Sequence, residues 1–257
     1  MDIGLRGKTA IVAGSTSGLG LAVGRALDAE GANVVISGRR GDVAEREAAR
    51  LSNGRGLEVD LAAPDAPDRL VAAALDHFGQ VDVLVLNSGG PPPSTAKDMS
   101  PDHLEKALHQ LVTQQIRLVS LVLPGMCDRG WGRIVAIGSS GVQQPIENLA
   151  LSNVARAGLA AYLKTLSSEV AALGVTVNMV LPGRIDTARV VQIDAGRAER
   201  EGVSAEEARR RSQAAIPMGR YGTPEEFAAV VAFLCGEPAS YVTGAQIRCD
   251  GGLVGSL

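Results

Sequence analysis

The stretch Val81-Asp82-Val83-Leu84-Val85-Leu86 is almost unbroken Val and Leu. A strand with one face in water alternates apolar and polar side chains. One that is apolar at nearly every position needs cover on both faces, and a parallel sheet between two helical layers provides it. Further candidate strands stand at 9–13, 33–37, 56–59, 133–137, 175–180 and 245–249. Helix-like segments lie near 18–30, 42–50, 65–78, 101–128, 150–173 and 224–236, with no linker between units. Alternating strands and helices with short connections predict one doubly wound α/β domain of about seven parallel strands over residues 1–257. Aromatic residues are only 3% of the chain, so Ala, Val, Leu and Gly must fill the core. Thr223-Pro224-Glu225-Glu226 reads as a helix start with a capping box, and Ser204-Ala205-Glu206-Glu207 repeats the pattern. The polar segment at about 188–222 breaks the rhythm and is expected to be a lid over a ligand cleft.

Charge excludes some classes of partner. The net charge is −3 and no basic tract stands out, so neither nucleic acid nor an anionic membrane is expected. The Arg209-Arg210-Arg211 run reads as a solvated face. No apolar run approaches the roughly 18 residues that cross a bilayer. Cys127, Cys235 and Cys249 are far apart and in no metal-ligand spacing, nor do His77, His103 and His109 pair with ligands, so no metal is expected. Free cysteines and the absence of a basic-then-apolar start suit a cytoplasmic chain.

The first strand runs into Ala-Gly-Ser-Thr-Ser-Gly-Leu-Gly at 13–20, followed by a helix. Gly14, Gly18 and Gly20 let the backbone turn tightly and approach a pyrophosphate, which the free N–H groups of the helix start favour. The second strand ends in Gly38-Arg39-Arg40, where an acidic residue would instead bond a ribose diol. Room and positive charge there favour NADP(H) over NAD(H). Asp60, after the third strand, is placed to accept from an adenine amino group. Asn87, Ser88 and Gly89, after the fourth, put small residues at the crossover where such sheets bind ligands.

These stretches resemble the short-chain dehydrogenase/reductase family, and the likeness covers nearly the whole chain. Its marks, in order, are AGSTSGLG, EVDL, NSGG, GRIVAIGSS, VNMVLPGRIDT, PMGRYGTPEEFAAVVAFL and YVTGAQIRCDGG. The resemblance implies a Rossmann-type fold and further cofactor contacts. Ser15, Ser17 and Leu19 would line the phosphate turn, Leu61 would follow Asp60, and Ile185 and Thr187, after Pro182-Gly183, would meet the nicotinamide carboxamide. The chain looks most like the β-ketoacyl-acyl-carrier-protein reductases. NSGGPPPS and LSNVARAGL resemble an atypical reductase-like subgroup. A carbonyl, alcohol or acyl-thioester substrate and a homodimer or homotetramer are also implied, the latter with an Ala155, Gly158, Ala161 face on helix 150–173.

The family's proton donor is a Tyr with a Lys four residues on, beside a Ser and an Asn. Aligned on GRIVAIGS, the Ser is Ser139, but the Tyr and Lys positions hold Ser152 and Arg156, and the Asn position falls near Leu111 with Thr113, Gln114 and Gln115 close by. Tyr162, Tyr221 and Tyr241 are the only tyrosines, and none has a Lys four residues later. Spacing still puts Ser152 and Arg156 on one helical face. Arg donates but does not shuttle a proton near neutral pH. Ser139-Ser140, Gln143-Gln144 and Arg184 are candidates for bonding substrate. The expectation is an NADP(H)-dependent oxidoreductase with a non-standard site, Ser139, Ser152 and Arg156. The alternatives are a non-catalytic NADP(H)-binding sensor or assembly protein, and different chemistry such as dehydration in the same cleft.

Overall fold

In the computed structural model, which describes residues 2–256, seven strands form one fully parallel sheet. They are β1 (Thr9–Val12), β2 (Asn33–Gly38), β3 (Gly54–Glu58), β4 (Val83–Leu86), β5 (Gly132–Ile137), β6 (Val175–Pro182) and β7 (Gln246–Cys249), in the order β3-β2-β1-β4-β5-β6-β7. Every residue of β1, β4 and β5 is buried, as their composition requires. Period-two alternation sends Ile11 to one core and Ala10 and Val12 to the other. The first core packs under α3 (Ala66–Phe78), α5 (Gln114–Asp128) and α6 (Ala150–Val170), and the second under α1 (Gly18–Ala29), α2 (Gly41–Ala48) and α9 (Pro224–Cys235). Phe227 is the largest fully buried side chain, so aliphatic residues do fill most of the interior.

The chain leaves β1 outward to β2 and β3, then returns to β4 on the other side of β1. Strand order reverses there, which opens a crevice at the carboxyl ends of β1 and β4. Thr223 caps α9 reciprocally: its Oγ1 accepts from Glu226 N at 3.2 Å, and Glu226 accepts from Thr223 N at 2.8 Å. Such a cap is worth about 1 kcal/mol.

Three expectations need correction. The helix expected over 101–128 is two helices, α4 (Pro101–Leu108) and α5, joined by a π-turn at His109–Thr113. One extra residue in that turn sets Leu111 into the core, while Gln115 Nε2 donates to the Gln110 carbonyl at 3.1 Å. The second capping box is half made. Ser204 accepts from Glu207 N at 3.1 Å, but the Glu207 carboxylate turns to Arg210 and Arg211 instead. Ala155 is fully buried, so the small-residue face of α6 open to solvent is Gly158 and Ala161, with Val154 beside them.

Candidate functional site

The crevice opens into a cavity of about 760 Å³. Its floor at one end is the turn after β1. Gly14 and Gly18 have φ of +57° and +59°, the left-handed region that glycine adopts freely. Gly20 is needed for space. A Cβ there would lie 2.7 Å from the Gly14 carbonyl oxygen and 2.9 Å from Ser15 Cα. Asn87 ties the turn to β4, its Nδ2 donating to the Ala13 and Gly14 carbonyls at 3.0 Å each. Ser17, the residue before α1, makes no side-chain cap, so the first N–H groups of the helix stay open toward the cavity.

Gly14, Ser17, Gly18, Leu19 and Gly20 line this end, and Asn87, Ser88 and Gly89 the crossover. Pro182, Gly183, Ile185 and Thr187 close it from the loop after β6. Ser15 does not line it. It is fully buried, donates from Oγ to the Val12 carbonyl at 2.6 Å and accepts from Ser37 N at 3.0 Å, so it pins the turn from behind. Arg39, Arg40, Asp60 and Leu61 lie outside the cavity wall, after β2 and β3 on the same edge of the sheet. Both arginines are exposed, and Arg40 reaches Thr16 Oγ1 at 3.4 Å.

Ser139, Ser152 and Arg156 line the other part of the cavity together. Ser139 Oγ accepts from Gly141 N at 3.0 Å, leaving its hydroxyl hydrogen free. Arg156 is held on three sides. Its Nε donates to Ser152 Oγ at 3.2 Å, and its Nη1 donates to the carbonyls of Ile137 at 2.8 Å and Gly138 at 3.2 Å. Its Nη2 has no partner among the described residues. Burial, and then the positive charge of Arg189, push the guanidinium down to about 10, below the value expected from sequence. It is still a cation near neutral pH.

No Tyr, Lys, His or Cys lines the cavity among the described residues. Tyr162 packs against the core under α6, and burial raises its phenol above the ordinary range. Tyr221 is also buried, and its hydroxyl donates to Asp194 at 2.8 Å. Leu111 is not in the wall, and Gln114 uses its amide on the carbonyls of Leu61 at 3.3 Å and Ala63 at 2.5 Å. Of the glutamine pair, Gln144 lines the cavity, whereas Gln143 is held by Gln246 and Arg248. No group of three His, Cys, Asp or Glu suited to a metal occurs among the described residues.

The segment after β6 forms α7 (Ala188–Glu201) and α8 (Ala205–Ala214). Val190, Ile193 and Gly196 of α7 face the cavity. Asp194 ties the pair together, accepting from Ser212 at 3.3 Å as well as from Tyr221. Sequence reasoning missed this buried latch, because Asp194 and Ser212 stand in ordinary polar stretches. It also missed that α7 brings Arg189, Arg197 and Arg200 to the wall.

The comparisons agree with this architecture. Residues 13–254 match a family described as enoyl-(acyl carrier protein) reductase. A D-beta-hydroxybutyrate dehydrogenase of Cupriavidus necator is 33% identical over 97% of this chain and 99% of its own. A 3-oxoacyl-(acyl-carrier-protein) reductase of Vibrio cholerae is 32% identical over 97% of this chain and 98% of its own. The L-sorbose reductase of Gluconobacter frateurii, solved with NADPH and L-sorbose, superposes with a TM-score of 0.94 at 31% identity, covering all of both chains. The chain belongs to the short-chain dehydrogenase/reductase family.

Proposed function

We propose that the chain is an NADP(H)-dependent oxidoreductase interconverting a carbonyl and an alcohol through a non-standard site in which Ser152 and Arg156 replace Tyr and Lys. The observation that carries this reading is one cavity holding both the glycine turn and a serine–arginine pair aimed at the same space. The open φ angles, the absent Cβ of Gly20 and the uncapped start of α1 fit a pyrophosphate. Arg39 and Arg40, on the same edge, suit a 2′-phosphate. The solved relatives that hold NADPH support the same choice.

When bound, the dinucleotide supplies or takes up a hydride at the substrate carbon. The chain's own groups act on the oxygen. Ser152 Oγ accepts from Arg156 Nε and so keeps its own O–H free to donate to a carbonyl in the cavity. Arg156 Nη2 offers two further N–H donors, and Ser139 a third group. Preorganised donors of this kind stabilise a developing oxyanion. A serine hydroxyl is too weak an acid to replace a tuned phenol, so the proton comes from water through it. The segment 188–222 acts as a lid. The names of the relatives suggest hydroxy acids, sugars or acyl thioesters as the substrate class. Gly158, Ala161 and Val154 form a face that a second copy would cover, and light scattering is expected to give a dimer or tetramer rather than 26.5 kDa.

The test is a titration with NADPH and NADH, followed by melting temperature and by hydrogen exchange. NADPH is expected to bind more tightly and to slow exchange over 188–222. Arg39→Gln with Arg40→Gln is expected to weaken NADPH by about 10-fold or more, since hydrogen bonds to charged groups are worth about 1.5–3 kcal/mol, while sparing NADH. Equal losses for both cofactors would refute the NADP(H) preference. NADPH binding with no turnover over a broad carbonyl panel would favour the sensor reading.

A further inference from the structure

The cavity wall contains five arginines, Arg156, Arg184, Arg189, Arg197 and Arg200, and one carboxylate residue, Glu147. Outside the cavity most arginines find carboxylates, though Arg6, Arg39, Arg40, Arg55 and Arg248 do not among the described residues: Arg25 reaches Glu47, Arg117 reaches Asp68, and Arg209 reaches Asp186, each at 2.6 Å. In the cavity only Arg197 does so, to Glu201 at 2.5 Å. Arg156, Arg184, Arg189 and Arg200 have no carboxylate within ion-pair distance among the described residues. Arg184 and Arg200 have no side-chain hydrogen bond there either, and Arg189 has only the Pro91 carbonyl at 3.3 Å. Arg189 is close enough to disfavour the charge on Arg156, which burial already opposes.

The charges of a dinucleotide are met at the opposite end. The turn at Gly14–Gly20 and the start of α1 suit the pyrophosphate, and Arg39 and Arg40 stand where a 2′-phosphate would lie. On that cofactor reading Arg156, Arg184, Arg189 and Arg200 lack a counter-charge even with the cofactor in place. Guanidinium forks match carboxylate and phosphate oxygens two at a time, and a cleft of one sign concentrates ions of the other.

We infer that the substrate is an anionic carbonyl compound, its carboxylate or phosphate held by Arg184 and Arg189 while its carbonyl lies at Ser139 and Ser152. Arg200 adds long-range attraction at the lid. This inference rests on the cofactor reading above and narrows it, since a neutral ketone would leave the four charges unmatched.

The experiment uses protein saturated with NADP⁺, in which a carbonyl ligand binds without turnover. Two matched pairs are titrated by calorimetry: acetoacetate against methyl acetoacetate, and dihydroxyacetone phosphate against dihydroxyacetone. One charged member is expected to bind at least about 10-fold more tightly than its neutral partner, and which one identifies carboxylate or phosphate. Arg184→Gln and Arg189→Gln are each expected to remove most of that advantage without changing NADP⁺ affinity or melting temperature. Equal binding within both pairs, or no binding by any of the four, overturns the inference. So does a parallel loss of NADP⁺ affinity in the variants, which would give these arginines to the cofactor. If the unaltered chain fails to bind NADP⁺ at all, the cofactor reading fails instead.

Discussion

Ser152→Tyr combined with Arg156→Lys is expected to raise NADPH-dependent carbonyl reduction by about 10²–10⁴-fold, the usual contribution of a positioned general acid. The two positions already share one face of α6 and one cavity. In the unaltered chain the guanidinium donates to Ser152, Ile137 and Gly138, and in the proposed mechanism it serves as an anion-stabilising donor rather than a proton relay. A phenol at 152 carries a titratable proton further into the cleft, and an ammonium at 156 lowers its pKa by charge. Ser152→Tyr alone is expected to gain less. It sets the phenol against a guanidinium already occupied by backbone carbonyls, whereas Lys has three donors on a flexible stem. The measurement is the initial rate over a carbonyl panel, with NADPH affinity measured alongside. An unchanged rate in a double variant that still binds NADPH would show that the rest of the cleft no longer presents a carbonyl to the hydride.

Gly20→Ala is the second large effect. The added carbon would sit 2.7 Å from the Gly14 oxygen and 3.0 Å from Asn87 Nδ2, with Ser15 Cα at 2.9 Å. None of these can move freely. Ser15 is pinned to Val12 and Ser37, and the Asn87 amide is tied to two carbonyls of the turn. The start of α1 must shift away from the turn instead. Overpacking of this kind costs about 1–3 kcal/mol, which for a chain of this size lowers Tm by roughly 2–10 °C. The displaced N–H groups are also expected to lose at least about 10-fold in NADPH affinity. Gly18 is a useful contrast. Its constraint is a φ of +59°, and a Cβ there meets only Thr187 at 3.9 Å. Gly18→Asn is therefore expected to keep most of the stability, since Asn tolerates the left-handed region. Equal destabilisation by the two changes would contradict the steric account of Gly20.

What the residues alone determined was local or periodic. The unbroken apolar runs dictated strands covered on both faces, as β1, β4 and β5 are, while the edge strands β3 and β7 are mixed in composition and only partly buried. The glycine turn and the Thr223 cap depend on neighbours a few residues away, so their chemistry is legible in the order of the chain. That Ser152 and Arg156 share one face of α6 was equally legible, because helical spacing fixes which positions do. That they stand where the family carries a Tyr and a Lys is what the resemblance implies. Tertiary structure decided which groups each polar side chain meets. Ser15 looks like a phosphate contact until Ser37, 22 residues on, claims it. Leu111 and the π-turn depend on how α4 and α5 pack, and Ala155 on which side of α6 meets the core. Arg156, Arg184, Arg189 and Arg200 come from α6, the loop after β6, and α7, and nothing in their spacing shows that they share one cavity. Their common lack of a counter-charge exists only in the fold. Charge acts through space across distances of several ångströms, without regard to separation along the chain.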